Sequence, residues 1–136
     1  MEVPHITDLD RRRLEMLLDA VKRDAQVARD ADPLRERIDI ATVVSSERIP
    51  ADVVTMNTTV RYEDETSRGT REVTLVYPEE ADPSAGMVSI LSPLGNALLG
   101  LRVGQRGQLQ LPSGEERSIH VLAVLYQPEA AGSLTT

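Results

Sequence analysis

The chain changes its hydrophobic pattern once, at residues 49–52, where Ile-Pro-Ala-Asp separates two kinds of sequence. Before this point apolar residues recur at the three- and four-residue intervals that place side chains on one face of a helix. After it, short runs of β-branched and aliphatic residues alternate with turn-forming clusters, which is typical of strands. We therefore predict a helical segment at residues 1–49 and a β-rich domain at residues 50–136.

Residues 1–49 contain two amphipathic stretches. Thr7 or Asp8 can cap the first, whose apolar stripe consists of Leu14, Leu17, Leu18, Val21, Ala25 and Ala28. Asp-Ala-Asp-Pro at 30–33 interrupts it, because the residue before proline avoids helical angles. Asp32 and Pro33 then suit the start of a second helix of roughly 13 to 15 residues, with Leu34, Ile38 and Ala41 on its apolar side. Facing stripes predict a short antiparallel helical hairpin of the coiled-coil type.

The remainder contains five strand-like runs and one short helix. The runs lie at 53–62, 72–77, 87–91, 107–111 and 117–126. The helix reads SPLGNALLG, in which Ser92 is a good N-cap, Pro93 suits the first helical position and Gly100 can end the helix in the left-handed conformation. So little helix among strands predicts an α+β fold, with an antiparallel sheet covered on one face.

Composition excludes several classes of function. The net charge is −7, and the chain has no Phe or Trp and only three Tyr, so it lacks the clustered basic surface and stacking rings that hold nucleic acid directly. The absence of cysteine excludes disulfides and thiolate chemistry and agrees with a reducing compartment. The start MEVPHITDLDRRR has no apolar signal core, and no stretch approaches membrane-spanning length. We therefore expect a cytoplasmic protein without membrane contact.

No pattern of catalytic residues is present. The glycines do not have the spacing of a nucleotide-binding loop, and His5 and His120 have no partners at metal-ligand or triad spacing. Ser92 and Ser113 lack a nucleophile elbow and suit a helix cap and a turn. The sequence thus predicts a protein that is not an enzyme and has no cofactor and no metal site.

Three carboxylates crowd the bend between the two predicted helices, namely Asp30, Asp32 and Glu36. Clustered carboxylates can hold Mg²⁺ and could assist phosphodiester hydrolysis in a partner's active site. The same residues also favour caps, turns and helix N-termini, and three neighbouring arginines can neutralise them. The structural interpretation is the stronger of the two.

Several segments resemble a known family. PADVVTMNTTV, TLVYP, SPLGNALLGLRVGQ and LYQPEAAG together resemble the Rnk family, the regulators of nucleoside diphosphate kinase, within the superfamily of GreA/GreB transcription elongation factors. The resemblance runs from about Pro50 to Gly132. It implies an FKBP-like carboxy-terminal domain, a coiled-coil amino-terminal segment and RNA polymerase as the partner.

In Gre factors, the resemblance implies, the carboxy-terminal domain docks on the rim of the polymerase secondary channel while the coiled coil carries acidic tip residues towards the catalytic metal. By position, Leu91, Ser92, Pro93 and Asn96 are then the candidate polymerase-binding residues. The predicted hairpin is about half as long as a Gre coiled coil, so its acids should stop short of the active site. We expect a factor that occupies the channel and competes with Gre factors without efficient transcript cleavage.

Two other functions remain alternatives. An active cleavage factor would need the acids at 30–36 to reach the polymerase active site. A peptidyl-prolyl isomerase would agree with an FKBP-like fold, but such enzymes hold proline in an aromatic pocket, and this domain offers only Tyr62, Tyr77 and Tyr126.

Overall fold

The amino-terminal part of the molecule is a helical crossover between two parallel strands. In the computed structural model, which describes residues 3–132, strand β1 (His5–Thr7) leads into helix α1 (Asp8–Val21). Helices α2 (Ala25–Asp30) and α3 (Asp32–Ile40) follow, and strand β2 (Thr42–Val44) returns the chain beside β1. The two strands pair in parallel register, with His5 opposite Thr42.

The structure divides the first predicted helix into two shorter helices. The Thr7 hydroxyl caps α1 as expected, accepting from the Asp10 amide at 3.0 Å. The prediction that this helix continues to residue 28 is wrong, because α1 ends at Val21 and the Asp24 side chain caps a new helix, accepting from the amides of Gln26 and Val27. An aspartate that competes for backbone amides ends one helix and starts another.

The second predicted helix is shorter than expected. Asp32 is already helical and makes no capping hydrogen bond, so the prediction that it caps α3 is wrong. The helix also ends at Ile40, and the β-branched residues Thr42, Val43 and Val44 pair as a strand instead of extending it to about residue 45. β-branched side chains lose rotamer freedom in a helix and pack well in a sheet. Three helices of 14, 6 and 9 residues thus stand where a two-helix hairpin was predicted.

A five-stranded sheet follows, built from β3 (Thr59–Asp64), β4 (Gly69–Val76), β5 (Met87–Ser89), β6 (Arg106–Gln110) and β7 (Glu116–Tyr126). Its strand order is β5-β4-β3-β7-β6. The pairs within β4-β3-β7-β6 are antiparallel, as predicted, while β5 lies parallel to β4 at one edge. Helix α4 (Pro93–Leu98) lies between β5 and β6 in the chain and packs on both.

The first predicted strand of the sheet begins six residues late. Residues 53–58 are almost entirely buried but form a loop, in which Asn57 adopts a left-handed backbone with φ of 65°. The amide of Val54 donates to Leu101 and that of Asn57 to Leu75, so this loop joins the α4 segment to the sheet. The prediction of a strand over residues 53–58 is wrong, because the local pattern does not distinguish a buried loop from a strand.

One cluster of buried aliphatic side chains joins all these elements. It draws Ile6, Leu14 and Leu34 from the first part of the chain, and Val60, Leu98 and Ile119 from the second, among others. Among residues 3–132, Tyr62 is the buried aromatic ring of this cluster, and the partly buried Tyr77 packs against the cluster. The fold is α+β with few helices, as predicted. The division into 1–49 and 50–136 stays a prediction.

A buried carboxylate fastens α1 to the loop 53–58. Asp10 is 3% exposed, and its Oδ2 accepts from the Met56 amide at 3.1 Å. Burial raises the pKa of Asp10 to about 6, and the nearby Glu129 carboxylate raises it further, while the hydrogen bond from Met56 opposes the shift. Glu129 in turn accepts from the Thr55 hydroxyl at 2.7 Å. Glu129 and the start of α1 therefore meet at one polar cluster with the loop 53–58.

Candidate docking groove beside helix α4

The loop before α4 is held by two serines. The Ser92 hydroxyl accepts from the Gly95 amide at 3.1 Å, which confirms the predicted cap, and donates to the Ser89 carbonyl oxygen at 2.6 Å. The Ser89 hydroxyl accepts from the Leu91 amide at 3.0 Å. Each hydroxyl thus fixes backbone within three residues, so Leu91 and the exposed Pro93 are presented in one defined arrangement.

Close packing sets the position of α4. A Cβ atom on Gly95 would lie 2.1 Å from the Ser89 carbonyl oxygen, so this helix approaches the end of β5 as only glycine allows. Leu98 and Leu101 are buried as predicted, and Leu94 is partly buried. Gly100 takes the left-handed conformation, with φ of 83°, where the helix was expected to end.

Helix α3 is fastened to the far end of α4 by one arginine. The guanidinium of Arg37 donates to the Leu99 carbonyl oxygen at 2.7 Å and to that of Ala97 at 3.3 Å. Burial lowers the pKa of Arg37 to about 10, so the side chain stays charged at neutral pH. Ala31 and Leu34 are buried in the shared core. The bend between α2 and α3 therefore lies against the β-rich part of the molecule.

These contacts enclose a groove of about 710 Å³ between α3 and α4, hereafter the α4 groove. One wall consists of residues on α2 and α3, which are Arg29, Asp30, Pro33 and Glu36. The opposite wall consists of Leu91, Ser92, Pro93 and Asn96. The end of β6 and the turn after it complete the groove with Gln108, Gln110, Leu111 and Pro112.

The α4 groove unites two sets of residues that the sequence singled out separately. Leu91, Ser92, Pro93 and Asn96 all line it, and so do Asp30 and Glu36. Asp32 lies outside the groove lining, and its carboxylate pairs with Arg35 at 3.1 Å. The bend that was expected to carry three acids at the end of a projecting hairpin thus places two of them opposite α4.

Asn96 has an unusual environment. Its side-chain oxygen Oδ1 is buried and has no hydrogen-bond partner among residues 3–132. A buried acceptor without a donor costs free energy, so this side chain is an exception among the buried polar groups. This feature could not be read from the sequence, where Asn96 stands out only by its position in the SPLGNALLG segment.

Sequence reasoning missed the residues from β6. Gln108 donates to the Ser118 hydroxyl at 3.0 Å and Gln110 to the Glu116 carboxylate at 3.0 Å, so both amides are held across the β6–β7 pair. Leu111 and Pro112 follow directly. The Pro-Ser-Gly turn was recognised, but its distance in sequence from both α3 and α4 gave no signal that the three segments meet.

Among residues 3–132, no group of three or more His, Asp or Glu side chains is placed to hold a metal ion. The described helices include none that is long and apolar enough to cross a bilayer.

Comparison with known proteins decides the family. Residues 49–126 match the family model of the carboxy-terminal domain of the transcription elongation factors GreA and GreB. Over 127 residues the chain is 41% identical to the "Regulator of nucleoside diphosphate kinase" of Escherichia coli strain K12, covering 93% of this chain and 92% of that protein. The chain belongs to the Rnk family of GreA/GreB-type factors.

Two further relatives show how much of this Rnk-family protein is shared with elongation factors. A structure titled "Prokaryotic transcription elongation factor GreA/GreB from Nitrosomonas europaea" is 38% identical and superposes with a TM-score of 0.70, covering 93% of this chain and 100% of that one. The elongation factor GreA of Chlorobium phaeobacteroides (strain DSM 266) is 37% identical over 83 residues, which are 60% of this chain and 52% of GreA. The Rnk-family protein is thus related along nearly its whole length to the regulator, and along about half of GreA to the elongation factor.

Proposed function

We propose that this Rnk-family protein is a transcription regulator that binds bacterial RNA polymerase at the rim of the secondary channel through the α4 groove. There it competes with Gre-type factors and does not efficiently stimulate transcript cleavage. The E. coli relative is named as a regulator of nucleoside diphosphate kinase. In this proposal, such regulation follows from the effect of the protein on transcription. The protein acts by binding and is not itself an enzyme.

The observation that carries the proposal is the position of α3. Arg37 ties this helix to the carbonyls of Leu99 and Ala97, at the end of the helix whose start carries the candidate docking residues. With a rise of about 1.5 Å per residue, the 14 residues of α1 span about 21 Å and the 9 residues of α3 about 14 Å. Acids held beside the docking surface, on helices this short, do not reach a distant catalytic centre.

Mass action explains how such a protein regulates. A factor that occupies a shared entrance excludes its competitors in proportion to its concentration over its dissociation constant. Neither a catalytic residue nor a bound metal is needed for this effect.

Binding and competition test the proposal directly. Purified protein is expected to retain core RNA polymerase in a pull-down and to lose it when a Gre factor is added in excess. A Leu91→Asp/Pro93→Ala double variant should bind much more weakly, with Gly69→Ala, at the start of β4 and outside the groove lining, as a control variant. Absence of binding by the wild-type protein at micromolar concentration would refute the proposal.

A cleavage assay separates this proposal from an active cleavage factor. Added to a backtracked elongation complex, the protein should leave the RNA length nearly unchanged, whereas GreA shortens it. Rapid shortening that is lost in Asp30→Ala/Asp32→Ala would establish cleavage activity instead.

The isomerase alternative rests on the FKBP-like fold, which we retain as part of the proposal for the carboxy-terminal domain. The tyrosines do not share a pocket: Tyr62 is 6% exposed, Tyr126 is 45% exposed, and Tyr77 lines a separate cavity beside α1. We therefore expect no acceleration of proline isomerisation in a model peptide, and a clear acceleration would favour the enzyme.

A further inference from the structure

The two walls of the α4 groove differ in chemistry. Leu91 and Pro93 on one side, with Leu111 and Pro112 at the end of β6, present apolar surface. The other side carries the exposed carboxylates of Asp30 and Glu36, and a single cation, Arg29. A ligand that fills the groove therefore contacts an apolar strip and a negatively charged edge together.

Neither acid on this edge forms an ion pair with a cation among residues 3–132. Asp30 accepts only from the neutral amide of Gln26, at 3.3 Å, and Arg29 donates to the oxygen of that same amide. Glu36 forms no ion pair or side-chain hydrogen bond among residues 3–132. Asp32, by contrast, has its own arginine and lies outside the groove lining. The two acids that face α4 are those whose charge is left without an internal cation.

The groove lining also contains an unpartnered acceptor. Asn96 Oδ1 is buried and has no hydrogen-bond partner among residues 3–132, and Asn96 lines the groove together with the two acids. The two carboxylates and this amide oxygen are all acceptors. Lys and Arg carry donors only, and their long aliphatic stems pack on apolar surface while the charged end reaches polar groups.

From these observations we infer that Asp30 and Glu36 form the acidic edge of the docking surface and recognise a Lys or Arg side chain on the protein surface of RNA polymerase that Leu91 and Pro93 contact. This inference rests on the proposed function. It assigns the two acids a role in partner selection, where the resemblance to Gre factors implies a role near a catalytic metal. A charge pair at the edge of an interface acts mainly through long-range attraction, so it accelerates association and weakens as salt increases.

Binding to core polymerase at two salt concentrations tests the inference. Asp30→Asn/Glu36→Gln removes both charges while keeping the side-chain shapes. We expect it to raise the dissociation constant about tenfold at roughly 50 mM salt and only about twofold at roughly 300 mM salt, chiefly through slower association. Asp30→Lys/Glu36→Lys should weaken binding further.

The matched control is Asp39→Asn/Glu47→Gln, which removes two exposed acids outside the groove lining and leaves the same net charge. It should bind like the wild type at both salt concentrations. Unfolding midpoints of all variants should agree with that of the wild type, so that a binding loss is not a folding loss.

The possible failures are distinguishable. If Asp30→Asn/Glu36→Gln binds with the same affinity and salt dependence as the control pair, while Leu91→Asp/Pro93→Ala loses binding, the inference is overturned and the proposed function stands. If the wild-type protein does not bind polymerase, both are overturned.

Discussion

The guanidinium of Arg37 lies 2.7 Å from the Leu99 carbonyl oxygen, although the two residues are 62 positions apart. A charged donor from α3 thus satisfies backbone acceptors at the end of α4, where a helix leaves carbonyls without intrahelical partners. This contact sets the distance between the two walls of the α4 groove. The position of α3 beside α4 and the stability of the fold therefore depend on the same side chain.

Replacing Arg37 should be costly. Arg37→Met keeps much of the side-chain length but leaves the carbonyls of Leu99 and Ala97 without this donor, so we expect urea unfolding to show a loss of about 2–3 kcal/mol. Arg35→Met, which removes only the exposed pair with Asp32, should cost less than about 1 kcal/mol. Equal losses in the two variants would contradict the structural role of Arg37.

A methyl group at Gly95 should displace α4. The Cβ of Gly95→Ala would meet the Ser89 carbonyl oxygen at 2.1 Å, and overpacking of this kind costs about 1–3 kcal/mol. At Gly69 the nearest atom to a new Cβ is Ser67 Oγ at 3.5 Å, so Gly69→Ala should leave the thermal midpoint nearly unchanged. Differential scanning calorimetry of both variants checks this, and an unchanged midpoint for Gly95→Ala would show that α4 is not held this closely.

Ser92 should contribute both to stability and to docking. Ser92→Ala removes the cap of α4 and the bond to Ser89, which should lower the free energy of unfolding by about 1 kcal/mol and weaken polymerase binding. Ser92→Thr keeps a hydroxyl and should restore most of both. Ser113→Ala, in the exposed turn before β7, serves as the control and should change neither.

Ionisation of Asp10 should make stability depend on pH. Its pKa rises from 3.8 to about 6 on folding. Between these two pH values the Asp10 carboxyl is therefore protonated in the folded state and ionised in the unfolded state. Stability from this group is therefore greatest below pH 4, falls as pH rises to about 6, and is lower by roughly 3 kcal/mol above it.

Comparison with Asp10→Asn isolates this effect. The amide oxygen can still accept from the Met56 amide, while the charge is removed. The wild type minus variant difference in unfolding free energy, measured from pH 4 to 7.5, should become more negative as pH rises through that window. A constant difference would show that Asp10 does not titrate there.

Local signals in the sequence predicted local features well. Thr7 and Ser92 cap the helices expected of them because a cap depends on residues one turn away. The predictions failed where a segment distant in sequence determines the local secondary structure. Thr42, Val43 and Val44 fell within the predicted length of the second helix, yet they form a strand because β1 lies alongside them.

The α4 groove could be predicted only in part for the same reason. Residues 91–96 were found through a motif, and the acids at 30–36 through their crowding. That both sets line one groove depends on the position of α3, which Arg37 fastens to α4 through a contact that no local pattern encodes. The contribution of Gln108 and Gln110 follows from the β6–β7 register, which no single segment encodes.

The contact of the amino-terminal segment with residue 100 has a consequence for synthesis on the ribosome. The His5 amide donates to the Gly100 carbonyl oxygen at 3.1 Å, and a Cβ on Gly100 would lie 2.5 Å from the Pro4 side chain. Residues 4–7 therefore wait for their final partner until Gly100 has been translated and released from the ribosome. Nascent chains arrested before that point should leave β1 open to proteases, and those arrested well after it should protect β1.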